Sequence, residues 1–149
     1  MKNNILNYRI LLIIISLFSI QSIIFTAPIN AKKIPNGISI LLDGDFPDPT
    51  IVKDGDNYYM TTSFGGFPCL MIWQSNDLLH WERLDYALKT PVAGAVWAPE
   101  LIKHDGTFYL YFPAGGHIYV MTATNPAGPW SNPQIIEGVS GIDPGHLVD

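Results

Sequence analysis

The sequence has a single cysteine and few basic residues, and each shortage excludes a class of protein. Cys69 has no second cysteine to pair with, which excludes an internal disulfide framework and any metal site built from several cysteines. We therefore expect it to be a small buried hydrophobic residue. Lys and Arg total eight in 149 residues, form no cluster, and leave a formal net charge of -5. Because phosphate binding needs a basic stripe, we expect no nucleic-acid partner.

The residues that are abundant favour short strands. Hydrophobic residues make up 48% of the chain and charged residues only 14%, a composition opposite to that of a disordered protein. Thirteen glycines and twelve prolines are too many turn formers for a helical bundle or a coiled coil. Frequent aromatic, Thr and Val residues between these turn formers predict an all-β fold.

The N-terminal segment has the pattern of an export signal. Lys2 and Arg9 precede residues 10–25, which are mostly apolar and carry no charge. This run of 16 residues is shorter than the roughly 20 needed to span a bilayer, so we favour a cleaved signal over an uncleaved anchor. The interpretation assigns residues 1–31 to a signal peptide and residues 32–149 to the mature protein.

Cleavage after Ala31 predicts a protein exported to the periplasm or the medium, without stable membrane association. It would remove two of the eight basic residues and no acidic residue, which changes the formal net charge from -5 to -7.

The chain contains an internal repeat of 45 to 50 residues. Residues 49–60 (PTIVKDGDNYYM) align without gaps to residues 99–110 (PELIKHDGTFYL), and a third copy begins at Pro144. Trp81 and Trp130 recur downstream in the two complete units, so we assign them to packing. Each unit has the pattern of four antiparallel strands, with an Asp-Gly hairpin turn after the first. The repeat predicts two β-propeller blades and the start of a third; the alternative is two meanders of a β-sandwich.

The position before each repeated proline breaks the pattern. Asp48, Ala98 and Asp143 occupy it in the three units. Because this position opens the innermost strand of a blade, Asp48 and Asp143 are predicted to face one axial cavity, where two carboxyl groups support acid–base hydrolysis. The prolines on both sides of Asp48 predict an extended backbone there. The alternative is that both segments are simple turns.

Six ordered segments carry a family resemblance. GDFPDPTIV, DNYYMTTSFGGFP, SNDLLHW, VWAPELIKHDGTFYLYF, NPAGPW and GIDPG resemble the N-terminal part of glycoside hydrolase family 43, five-bladed propellers that cleave xylose and arabinose polymers. The resemblance covers residues 44–149 and implies hydrolysis with inversion. By this resemblance Asp48 matches the general base. Asp143 matches a second aspartate that orients the substrate and modulates the pKa of the general acid.

One residue that the family's mechanism requires has no match in this sequence. The family's general acid is a glutamate on a later blade, and none of Glu82, Glu100 and Glu137 lies in its motif. We therefore expect the chain to be truncated before the acid and to have no glycosidase activity alone. The alternatives are a carbohydrate-binding propeller without catalysis and an inactive fragment.

Two aromatic residues are candidates for binding the sugar. The resemblance places Phe64 and Trp97 beside it, and aromatic rings suit the apolar faces of a pentose; core packing is an equal alternative for Phe64. The expected partner is an oligo- or polysaccharide, with the pentose left open. The histidines show no ligand spacing, so we expect no metal site built from them and no cofactor. The resemblance allows a calcium ion on the axis of a complete propeller, and nothing in these residues requires one.

Overall fold

The fold consists of short antiparallel strands. The computed structural model describes residues 32–33, 39–63 and 66–147, and all regular structure in those ranges is β-strand. None of the described residues form a helix long and apolar enough to cross a membrane. The predicted signal peptide, residues 1–31, lies outside the described residues. The strands are β1 (Lys32–Lys33), β2 (Ser39–Ile40), β3 (Thr50–Asp54), β4 (Asn57–Thr61), β5 (Cys69–Ser75), β6 (Glu82–Leu88), β7 (Glu100–His104), β8 (Thr107–Ala114), β9 (His117–Ala123) and β10 (Gln134–Ile135).

Two four-stranded sheets correspond to the two complete repeats. The first has the order β3-β4-β5-β6 and the second β7-β8-β9-β10, with every neighbouring pair antiparallel. This is the predicted strand pattern of two blades. β1 and β2 pair separately.

The equivalent hairpins at the start of each sheet use different turns. In the first, Gly55 has a φ of +58° at the first central position, which suits a type II′ turn. In the second, Asp105 and Gly106 have φ values of +45° and +77°, the pattern of a type I′ turn. Both turns match the right-handed twist of the strands, so the hairpins predicted from the Asp-Gly pairs are confirmed.

The main core lies between the two sheets. It joins one face of the first sheet to one face of the second, and Tyr59 meets Phe108 edge to face with ring centroids 5.7 Å apart. Burying a side chain of this size stabilises the fold by about 1.5–3 kcal/mol. The core is formed by Tyr59, Cys69, Leu70, Ile72, Ala87, Leu88, Val96, Leu101, Phe108, Leu110, Phe112, Ala114, Tyr119 and Met121. Cys69 is therefore buried, as predicted.

The recurring tryptophans have the predicted packing role. Trp81 is fully buried, and its Nε1–H donates to the carbonyl oxygen of Leu78 at 3.2 Å. Trp130 is half-buried and donates in the same way to the carbonyl oxygen of Pro126 at 3.1 Å. Each indole N–H therefore donates to the loop that precedes it. Because it is the only donor of the indole, the ring has no free donor for a ligand.

The first strands of the two sheets contact each other. Thr50 Oγ1 accepts a hydrogen bond from the backbone N–H of Leu101 at 3.1 Å and donates to Glu100 Oε2 at 3.4 Å. Lys103 Nζ lies 2.6 Å from Asp54 Oδ2 at the other end of the strands. β3 and β7 are thus adjacent, the arrangement required of innermost strands around a propeller axis.

Candidate functional site

A one-residue bulge places Asp48 at the entrance to β3. Within the hairpin Thr50 pairs with Thr61, and further on the N–H of Ser63 donates to the carbonyl oxygen of Pro47 at 3.0 Å. Between these two links the chain advances two residues on the β4 side, from Thr61 to Ser63. On the β3 side it spans three residues, from Thr50 back to Pro47. The extra residue falls around Asp48, and such bulges re-aim side chains beside functional sites.

The second blade opens on the same bulge. Glu100 pairs with Tyr111, and the N–H of Trp97 donates to the carbonyl oxygen of Pro113 at 3.1 Å. The direction of the bond is reversed relative to the first blade, because proline has no N–H and stands on opposite strands in the two units. The bulge is therefore common to both blades, whatever residue occupies it.

The two predicted aspartates share a left-handed backbone. Asp48 has a φ of +52° and Asp143 a φ of +53°, whereas Ala98 does not have a positive φ. The extended backbone predicted for Asp48 from its flanking prolines is therefore wrong. Proline disfavours the right-handed helical region for the residue before it, but it does not enforce an extended one. Asp is among the few residues that tolerate this region, and left-handed non-glycine residues are enriched at functional sites.

Ser63 fixes the Asp48 carboxylate. Its hydroxyl, on a buried side chain, donates to Asp48 Oδ2, while Asp48 itself is exposed. Oδ2 is thus engaged, and no hydrogen bond to Oδ1 is found among the described residues. Sequence reasoning missed Ser63. The signal was the hairpin register, which continues from Thr50 and Thr61 to put Ser63 near Asp48.

Asp48 lies in a cleft with the predicted tryptophan. The cleft has a volume of about 510 Å³, and its lining includes Trp97, which is 56% exposed. The chemistry of the lining is one fixed carboxylate, one exposed aromatic ring and a second exposed acid, Asp45. The residues lining it are Asp45, Pro47, Asp48, Ser63, Ala95, Val96 and Trp97.

A second, smaller cleft adjoins the first. It has a volume of about 270 Å³ and shares Ala95 and Trp97 with the Asp48 cleft. Gly141 and Ile142, which directly precede Asp143, also line it. Asp143 is exposed and lines neither cleft, but the residues before it reach the site that Trp97 borders.

The glutamates lie outside the Asp48 cleft, and one further candidate is not described. Phe64 is outside the described residues. None of the three glutamates lines the Asp48 cleft: Glu100 accepts the Thr50 hydrogen bond between the blades, and Glu82 and Glu137 are exposed at other positions. Within residues 32–33, 39–63 and 66–147, no group of three or more His, Cys, Asp or Glu side chains is placed to hold a metal ion.

Comparison with known proteins gives one family over most of the chain. The family model described as Glycosyl hydrolases family 43 matches residues 39–149. The chain is similar to the non-reducing end α-L-arabinofuranosidase of Bacteroides ovatus, with 40% identity over 109 residues, 62% of this chain and 21% of that protein. It is also similar to a xylan 1,3-β-xylosidase of a Vibrio species, with 39% identity over 129 residues, 73% of this chain and 24% of that protein.

Solved structures agree with the fold. The chain matches the α-L-arabinanase of Cellvibrio cellulosa with a TM-score of 0.58 and 31% identity, over 72% of this chain and 42% of that one. A family 43 protein from a capybara gut metagenome gives a TM-score of 0.63 and 30% identity, over 70% of this chain and 23% of that one. These relatives are five-bladed propellers, so the predicted fold is confirmed. The chain spans 21% to 24% of the length of the two curated relatives named above.

Proposed function

Because the chain belongs to glycosyl hydrolases family 43, we propose that it supplies the catalytic base and one aromatic wall of a glycosidase active site. The proposed reaction is the hydrolysis, with inversion, of O-glycosyl bonds in saccharides derived from xylan or arabinan. The observation that carries the proposal is the Asp48 carboxylate, held by Ser63 and exposed in a cleft beside Trp97.

In the proposed reaction Asp48 acts as the general base. Its Oδ2 is engaged by the Ser63 hydroxyl, so Oδ1 is the oxygen that takes a proton from the attacking water. The water adds to the anomeric carbon on the face opposite the leaving group, and an inverting site separates its two carboxyl groups by about 6.5–9.5 Å to admit it. We assign Asp143 to orienting the substrate.

The general acid in this proposal comes from polypeptide other than these 149 residues. An acid has to protonate the leaving oxygen from the far side of the sugar, and none of the three glutamates lines the Asp48 cleft. The reaction consumes only water and uses only carboxyl groups, so it needs no cofactor.

We further propose that Trp97 stacks on the sugar and that Phe64 assists it. The exposed ring of Trp97 beside the base supports this role, since apolar sugar faces pack well on aromatic rings. A polymeric substrate also agrees with the proposed export of the protein after cleavage of residues 1–31.

The test uses the chain alone and a chimera. The chimera is the Bacteroides ovatus arabinofuranosidase in which the aligned segment is replaced by the matching residues of this chain. We expect the chain alone to bind xylobiose or arabinobiose without releasing pentose. The chimera should hydrolyse 4-nitrophenyl α-L-arabinofuranoside or 4-nitrophenyl β-D-xylopyranoside. Asp48→Asn should then lower kcat by about 10²- to 10⁴-fold, the usual contribution of a general base.

Asp45→Asn is the matched control, because Asp45 is an exposed acid in the same cleft. It should leave kcat within about twofold of the parent chimera, well under the cost of a lost catalytic acid or base. A folded chimera whose kcat is unaffected by Asp48→Asn would refute the role of Asp48. Sugar binding by the chain, together with a folded but inactive chimera, would favour the non-catalytic binding propeller.

A further inference from the structure

Two glycines bring the segment before Trp97 into backbone contact with the tip of the β8–β9 hairpin. A Cβ on Gly94 would lie 2.8 Å from the backbone nitrogen of Gly115, and a Cβ on Gly115 would lie 2.5 Å from the carbonyl oxygen of Ala93. Real Cβ atoms essentially never come this close to a non-bonded atom. The two backbones therefore pack at a distance that only glycine allows.

This contact continues along the chain to Trp97. Val96 forms a β-bridge with Ala114, and the N–H of Trp97 donates to the carbonyl oxygen of Pro113 at 3.1 Å. Val96 is buried in the main core, and side chains alternate along an extended segment. Trp97 is consequently directed away from the core, which explains why so large a ring is 56% exposed.

We propose that the Gly94–Gly115 contact positions Trp97 and thereby shapes both clefts that Trp97 borders. The two glycines are positioning residues, since neither is assigned a contact with the reacting atoms. A side chain on either would push residues 93–97 away from the hairpin, and the ring of Trp97 would move with them. The consequence for sugar affinity rests on the proposed function, whereas the position of Trp97 does not.

The β8–β9 turn itself gives one reason for a glycine at position 115. A Gly116 variant distinguishes that reason from the close contact with Gly94. Gly115 and Gly116 are the central residues of the β8–β9 turn, with φ values of +56° and +84°, so both suit a turn that needs left-handed residues. A Cβ on Gly116, however, would meet nothing within 4 Å. Gly116→Ala therefore imposes backbone strain of the same kind without touching the segment before Trp97.

The experiment compares Gly115→Ala and Gly94→Ala with Gly116→Ala in the 149-residue chain. Subtracting the spectrum of a Trp97→Phe variant of each isolates the Trp97 fluorescence. We expect a shifted Trp97 emission and altered acrylamide quenching in Gly115→Ala and Gly94→Ala. Hydrogen exchange at the Trp97 amide should be faster by about tenfold or more, as expected for a locally opened hydrogen bond. Gly116→Ala should match the parent in both measurements.

Titration with xylobiose and arabinobiose provides the second measurement. Binding should weaken by about three- to tenfold in Gly115→Ala, the range for one impaired aromatic contact. Because Gly116 itself lines the smaller cleft, Gly116→Ala is the control for the fluorescence and exchange measurements and not for sugar binding. If the parent binds neither sugar, the proposed function is in doubt while the fluorescence and exchange results still decide the positioning role. Equal Trp97 emission, quenching and amide exchange in Gly115→Ala and Gly116→Ala would overturn the proposal. So would loss of folding in both Gly115→Ala and Gly94→Ala while Gly116→Ala folds, because the contact would then serve folding alone.

Discussion

The buried Ser63 hydroxyl donates a hydrogen bond to the exposed carboxylate of Asp48. The N–H of Ser63 also donates a hydrogen bond, to the carbonyl oxygen of Pro47, the residue directly before Asp48. Ser63, two residues beyond the end of β4, therefore holds both the carboxylate of the proposed base and the backbone directly before it. Oδ2 of the carboxylate is thereby held in place, and Asp48 lines the cleft beside Trp97.

Removing the Ser63 hydroxyl should impair catalysis more than binding. In the chimera, Ser63→Ala is expected to lower kcat by about tenfold with little change in KM, because a misdirected base affects the reaction after the sugar is bound. Ser63→Thr, which keeps a hydroxyl, should restore part of the rate. Steady-state kinetics on the two aryl glycosides measure both constants. A higher KM with an unchanged kcat in Ser63→Ala would contradict the positioning of the base.

Thr50 is expected to hold the two blades together. Thr50→Val removes the acceptor of the Leu101 N–H and the donor to Glu100, and it leaves the backbone N–H of a buried residue without its partner. Such a loss costs about 1–3 kcal/mol in the free energy of unfolding. Urea denaturation of the chain measures the change. Thr107→Val is the matched control, since no side-chain hydrogen bond of Thr107 is found among the described residues, and an equal loss in both variants would refute the prediction.

Local signals in the sequence predicted the strands and hairpins well. Asp-Gly pairs and alternating apolar residues depend on neighbours in the chain, and the structure has the turns at Gly55 and Gly106 where these signals lie. The packing role of Trp81 and Trp130 was likewise predicted, because their recurrence in the repeat separates packing from chemistry.

The details of the site depend on contacts between distant segments and could not be read from local signals. The bulge at Asp48 is created by a hydrogen bond from Ser63, and the local rule for residues before proline gave the wrong backbone. The close approach of Gly94 and Gly115 joins two loops 21 residues apart, and each glycine alone resembles an ordinary turn residue.

Cys69 should be unreactive while the sheet is folded. The side chain is 1% exposed, and burial raises the pKa of its thiol to about 11. At pH 8 the thiolate, which is the reactive form, is then scarce. We expect labelling by 5,5′-dithiobis(2-nitrobenzoic acid) to be more than about a hundredfold slower in buffer than in guanidinium chloride. Similar rates in the two solvents would mean that β5 does not pack against its neighbours in the isolated chain.

The turn between β5 and β6 should lose stability in acid. The His80 side chain, followed by the backbone N–H groups of His80 and Leu79, holds the pKa of the Asp77 carboxyl well below its usual range. Because the folded-state pKa is the lower one, the stabilisation is fully present above the unfolded pKa of about 3.9 and is lost as pH falls below it. Asp77→Asn should therefore unfold more easily than the parent at pH 6, and the difference should shrink towards pH 2.5.

The measurement is urea denaturation of the parent and Asp77→Asn at several pH values. Asp56→Asn serves as the control, because Asp56 is exposed at a hairpin tip and no hydrogen bond of its carboxylate is found among the described residues. Its effect should stay small and nearly constant over the same range. The pKa of Asp77 is lowered by hydrogen bonds that exist only in the folded turn, so a parent-to-Asp77→Asn difference that is the same at pH 2.5 and pH 6 would show that these bonds do not stabilise the turn.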